Sequence, residues 1–468
     1  MTARLLTCVF VGISFYSLSC QSLRPLWSLD LSAKEPGFRA ENGQYFPAFI
    51  HHFFPRAKDF ENAHPSLAEA RSGIELIEVR PVNVDQVNHN ESNLSWSANG
   101  AYLSYEALDY RSRHIMLRAL GGNFEKRLAM VPRGQNDFLQ GFVPQKIHSY
   151  NSGLSWAHDG KRYAFMSNGG VGIYNIYVGA INAPEQVVAH SSQKEGYAVW
   201  NPNGSELAFV SARSGKGDLY SLDLDSNRLQ RLSFSDDPDL FPEWLPDGSG
   251  IVYTSGSSSQ HQIMMMKRGP NNSWYEAKAL TQWKSDNLRP RISPDGRWLA
   301  FYASRAKSPP AHSMESSRWD LHIIALKDKT LVDADRRQTL VAEDVMVDLN
   351  TGPAWSPDGQ KVFYVKQDPM KFNPIQVYDV TKRETHTIHT GTRMNRDILM
   401  SSLGVLSFRA QVGAWDRIFV ALTNQGRQLQ QAPENAPKTS KSNISIFSKT
   451  FWQNKFFKRD HSAQRTIL

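Results

Sequence analysis

The chain has 468 residues, with 53 Lys and Arg against 45 Asp and Glu and a formal net charge of +8. Hydrophobic residues make up 40% and charged residues 21%, which excludes a disordered polymer and fits a folded body with a sizeable core. The charge excess is local: between 438 and 468, Lys438, Lys441, Lys449, Lys455, Lys458, Arg459 and Arg465 face Asp460 alone. The rest is near neutral and lacks the footprint of a nucleic-acid-binding protein.

Residues 1–19 read as an export signal. Arg4 precedes an almost wholly apolar or small run from Leu5 to Leu18. That run is short for a membrane span and suits a signal core. Ser17-Leu18-Ser19 then offers small residues before Cys20. The two cysteines are Cys8, inside the signal, and Cys20, so cleavage at this point leaves no pair for a disulfide. The segment resembles a bacterial lipoprotein signal, with Ser17 where leucine is usual. The resemblance implies lipid on Cys20 and a periplasmic or outer-membrane location.

Residues 20–72 form a linker. From Gly73 the chain repeats. SWSANGAYLSY from Ser95, SWAHDGKRYAF from Ser155, VWNPNGSELAF from Val199 and EWLPDGSGIVY from Glu243 superpose on their glycines. RISPDGRWLAF from Arg291, AWSPDGQKVFY from Ala354 and LMSSLGVLSFR from Leu399 complete the set. The glycines fall 44 to 63 residues apart, the spacing of propeller blades with loops of variable length.

Each column has a physical task. Four places before the glycine stands Trp96, Trp156, Trp200, Trp244, Ile292, Trp355 or Met400, bulky enough to fill the gap between blades. Asn or Asp precedes the glycine in every copy except at Leu403, and Asx-Gly is a strong hairpin signal because both residues tolerate positive φ. A short strand ending in an aromatic follows, then a second apolar run such as DLYSLDL from Asp218 or DLHIIAL from Asp320. A weaker fourth strand closes most copies, and the seventh lacks one. GIELIEVR from Gly73 is a spare strand without a blade, so it is expected to complete the seventh and close the ring. The expected fold is all-β, a propeller of about seven four-stranded blades over 73–428, with six possible if the degenerate copy fails.

The W-S-P-D-G core followed by a D-apolar-Tyr strand resembles the WD40-like (PD40) repeat of TolB and of oligopeptidase propellers. The resemblance implies the fold and a cell-envelope role through protein contacts. It does not extend to the α/β domain that precedes the TolB propeller, for which residues 21–71 are too few. No G-x-S-x-G elbow, H-E-x-x-H, Walker A or dinucleotide fingerprint occurs. His51, His52, His148, His158, His261, His312, His322, His386 and His389 are scattered without ligand spacing. No cofactor is implied.

One polar column remains. Five places before the tryptophan position lie Glu91, Asn151, Glu195, Asp239, Asn287, Asn350 and Asn395. They read as turn caps before each innermost strand, or as a polar ring at the channel mouth. The basic aromatic tail 429–468, with Phe447, Phe451, Trp452, Phe456 and Phe457, suits a membrane surface or a disordered extension. The expected protein is a non-enzymatic, monomeric envelope platform, anchored by lipid at Cys20 and contacting envelope proteins. The alternative is a carbohydrate-active or metal-dependent propeller enzyme of the lyase kind.

Overall fold

The structure is a computed structural model. It describes Ile74 and residues 76–424, apart from 84–88, 109–111, 121–123, 129–149, 170–172, 258–259, 282–285, 306–317, 327–337, 369 and 371. It also describes one antiparallel strand pair, Gly37–Arg39 with Tyr45–Pro47. Cys20, the signal, the tail from 429 and much of the longest loops lie outside the described residues.

Seven four-stranded antiparallel sheets form the body. The first runs Asn90–Trp96, Tyr102–Leu108, Arg113–Ala119 and Glu125–Leu128. The other blades begin with Asn151–Trp156, Glu195–Trp200, Asp239–Trp244, Asn287–Ile292, Ala354–Trp355 and Arg393–Met400. Innermost strands of neighbouring blades touch at six of the seven joints, that of the seventh touching that of the first, and an apolar cluster joins the fifth blade to the sixth, closing a ring. The seventh blade takes its outer strand from the start of the chain: Leu76–Pro81 pairs with Trp415–Thr423. The spare N-terminal strand thus covers the one edge that the degenerate repeat leaves open, as expected.

The core is not central. Seven apolar clusters occupy the seven joints between blades. The closing joint is built like the rest, with Val82, Leu94, Leu103 and Tyr105 against Val405, Ile418 and Val420. The tryptophan column does what its bulk requires and adds a bond: Trp200, Trp244 and Trp355 donate their indole N–H to the carbonyls of Ser155, Val199 and Arg291 on the preceding blade, at 3.2, 3.3 and 3.0 Å. Trp96 donates to the Ser407 hydroxyl of the seventh blade at 2.8 Å.

At one end of every innermost strand lies the Asx-Gly turn. Its glycine donates to the carbonyl three residues back in all seven copies, at 2.8 to 3.0 Å. The glycine serves two needs, because it holds positive φ and packs against the next turn. A methyl group on Gly160 (φ 67°) would lie 2.7 Å from Asn99 Cγ of the preceding blade; on Gly359 (φ 67°) it would lie 2.7 Å from Asp295 Cγ. Leu403, the exception in the Asx column, packs against Gly100 in the same manner across the closing joint.

Candidate functional site

The opposite end of the innermost strands departs from a regular ladder. The polar column sits here. Glu91, Asn151, Glu195, Asp239, Asn287 and Asn395 are all buried, at no more than 2% exposure. Several of their side chains bond across the joints between blades. Asn151, Asn287 and Asn395 donate their amides to the carbonyls of Arg113, His261 and Asn373, at 3.0, 3.2 and 3.0 Å. Each acceptor stands before or at the third strand of the preceding blade. Glu91 Oε2 accepts the Ile418 N–H at 2.7 Å across the closing joint, and Glu195 is engaged by the Arg213 guanidinium. Burial raises the Asp239 carboxyl to about 6, with bonds from Ser233 and Ser255 opposing and Asp218 adding.

Asn350 differs. It is exposed in a turn that Asp348 caps, with the N–H of Asn350 donating to Asp348 Oδ1 at 2.8 Å. Thr351 takes the buried place instead. The column thus bonds across the joints through Glu91, Asn151, Asn287 and Asn395, while Glu195 is held by Arg213 of its own blade, and the sixth blade's innermost strand is short, at Ala354–Trp355.

Two places further along, every innermost strand turns into the left-handed region. The residues are Asn93 (φ 51°), Gly153 (66°), Tyr197 (53°), Phe241 (53°), Arg289 (57°), Gly352 (74°) and Asp397 (48°). The ladder register shifts at or beside this point in the six blades with a long innermost strand. In those six blades this is a bulge, which bends the strand and re-aims the side chains beside it. Glycine, Asn and Asp accept positive φ at little cost. Tyr, Phe and Arg do not, and such strain gathers at functional sites.

The three strained bulky residues occupy consecutive blades and meet. The Tyr197 and Phe241 rings pack edge to face at 5.1 Å between centroids. The Arg289 guanidinium lies over the Phe241 ring at 5.0 Å and donates to the Asn350 carbonyl. Gly352 makes room for this: a methyl group there would lie 2.9 Å from Cγ of both Arg289 and Arg291. Burial, with Arg291 facing it, pushes the Arg289 guanidinium down to about 10. Across the ring, Arg409 Nε stands 2.8 Å from Asp397. Burial pushes Asp397 up, Arg409 opposes, and the facing Asp348 adds to the rise.

The site is thus an aromatic–arginine wall on blades three to five, in which the half-buried Tyr197 and Arg289 flank a buried Phe241, with small and polar residues in the same column of the other blades. The sequence carried a signal for it. Four of seven residues in that column are Gly, Asn or Asp, the residues that mark a left-handed position. The histidines do not converge: among the described residues no three His, Cys, Asp or Glu side chains form a metal-holding group. His322 stacks on Phe301 at 5.8 Å and burial lowers it to about 4, which makes it a neutral core histidine.

Comparison with known proteins agrees with the fold. The family described as the TolB beta propeller domain, PD40, matches residues 139–329. An uncharacterized Agrobacterium fabrum protein, Atu1656, is 26% identical over 174 residues, 37% of this chain and 55% of that protein. The uncharacterized Bacillus subtilis peptidase YuxL is 28% identical over 160 residues, 33% of this chain and 22% of the peptidase. The chain therefore spans about half the length of one curated relative and less than a quarter of the other. Among solved structures, an oligogalacturonate lyase in complex with manganese superposes with a TM-score of 0.52 at 12% identity, over 73% of this chain and 92% of that one. This last likeness is one of fold.

Proposed function

We propose, from the premise that this chain carries a TolB-like β-propeller, that it is an exported, lipid-anchored platform of the cell envelope that docks a protein partner at the bulged end of its ring. The observation that carries the reading is the wall of Tyr197, Phe241 and Arg289, held at positive φ on consecutive blades. Backbone strain of order 1–3 kcal/mol per residue is retained at a position where other blades of the same ring use glycine. The buried acid and amide column acts beneath it as the frame that keeps the rim rigid. Lipid on Cys20 tethers the propeller, and the basic aromatic tail adds membrane contact.

The test is capture of a stoichiometric partner from envelope extract by the full lipidated chain, repeated with Tyr197→Gly and Phe241→Gly. Retention by the parent and loss by both variants is expected. Turnover of a polysaccharide or peptide by the purified protein, or a stoichiometric transition metal in it, would overturn the reading in favour of a lyase-like enzyme. Mass spectrometry of the mature N-terminus tests the anchor: a diacylglyceryl mass on Cys20 is expected, and an unmodified thiol would remove that part.

A further inference from the structure

The wall described above has a chemical bias that the platform reading does not require. Arg289 and Arg291 lie on one strand, two residues apart, and both side chains press on Gly352. Their guanidiniums oppose each other electrostatically. The Nε–H of each is buried and has no hydrogen-bond acceptor among the described residues. A buried charged donor without an acceptor is costly, of order 1–3 kcal/mol or more.

The nearby acids meet these arginines only in part. Glu243 Oε1 accepts the Ile292 N–H at 3.0 Å, and its Oε2 stays 3.5 Å from Arg291 Nε, too far for a good hydrogen bond. Asp348 is bound by its own turn, from the N–H of Asn350 and of Thr351 and the Thr351 hydroxyl. Asp397 faces Arg409. Two cationic donors therefore stand beside the half-buried Tyr197 and the buried Phe241 ring, and Glu243 completes Arg291 only by an ion pair at 3.5 Å.

We propose that Arg289 and Arg291 form a carboxylate-binding subsite, which takes an acidic side chain of a polypeptide partner while Tyr197, backed by the buried Phe241 ring, supports the adjoining residues. Arginine suits this task because its planar donors match a carboxylate. A polypeptide fits better than a free anion, since the half-buried Tyr197 beside the arginines offers apolar area that phosphate cannot use. This deepens the platform reading and rests on it.

The experiment is calorimetric titration of the full chain with capped hexaglutamate, capped hexaglutamine, trigalacturonate and inorganic phosphate. Hexaglutamate is expected to bind, and hexaglutamine not. The double variant Arg289→Gln/Arg291→Gln should weaken hexaglutamate at least tenfold with an unchanged melting profile. Arg297→Gln, an exposed arginine at the opposite end of the ring, should leave binding unchanged. Should the double variant fail to fold, the single variants Arg289→Lys and Arg291→Gln must each weaken binding measurably. Equal binding by parent and variants would overturn the subsite, as would tighter binding of trigalacturonate or phosphate, or no binding of any anion. A captured envelope partner that holds the parent and the double variant equally would overturn the subsite and leave the platform standing. Failure to capture any partner at all would strike the platform itself.

Discussion

The two ends of the innermost strands obey different rules. At the turn end, one solution repeats: Asx or its substitute, then glycine at positive φ, each turn packed on the next. At the bulged end the backbone also repeats, with positive φ in all seven blades, but the side chains diverge from glycine to phenylalanine. Uniform side chains on a uniform backbone serve the ring, which needs the same joint seven times. Divergent side chains on a uniform backbone serve something that meets the ring from one side.

This contrast can be broken by experiment, and the largest effects belong to the joints. Trp200→Ala removes a buried indole and its bond to the Ser155 carbonyl. A loss of about 3–5 kcal/mol is expected, read as an early melting transition by circular dichroism. A loss below about 1 kcal/mol would mean that joints act less cooperatively than the closed ring implies.

Next comes the turn. Gly359→Ala forces a β-carbon onto a residue at φ 67° and against Asp295. It should cost about 2–3 kcal/mol, visible as a lower denaturation midpoint in urea. An unchanged midpoint would show that neighbouring turns can separate freely.

The polar column gives a pH-dependent effect. The Asp239 carboxyl, ordinarily at 3.8, is raised to about 6 in the folded protein. Between those values the native state holds a proton that the unfolded chain releases. The stability due to this proton is full below pH 4 and is lost as pH rises through 6. Asp239→Asn, the residue that other blades use in this column, should therefore stabilise by about 1–3 kcal/mol at pH 8. The difference from the parent should vanish toward pH 4, as followed by thermal melts across that range. A constant difference would place the cause elsewhere.

The smallest effect is expected at the bulge. Tyr197→Gly relieves positive φ but loses the ring contact with Phe241 and the half-buried ring's packing on the apolar cluster beside it. These oppose each other, so stability should change by less than about 1 kcal/mol, while partner capture is lost. A large destabilisation would make the wall part of the frame and weaken the contrast between the two ends.

The sequence by itself determined the repeat, the blade count within one, the tryptophan wedges, the hairpin turns and the N-terminal strand that closes the ring. These follow from local chemistry, since Asx-Gly, alternation and a bulky apolar residue at fixed spacing act within one blade or on its neighbour. Only the tertiary structure decided what stands beside what across the ring. It turned the acid and amide column into the joints, where Asn151 or Glu91 finds a partner on another blade. It left Asn350 on an exposed turn, because Asp348 caps that turn and Thr351 fills the place. It also brought Tyr197, Phe241 and Arg289 together from positions 44 and 48 residues apart. A bulge changes the direction of a side chain without changing the alternation pattern much, so periodicity hides it. What marks it is a column of Gly, Asn and Asp in some blades, and its meaning appears only when the blades close into a ring.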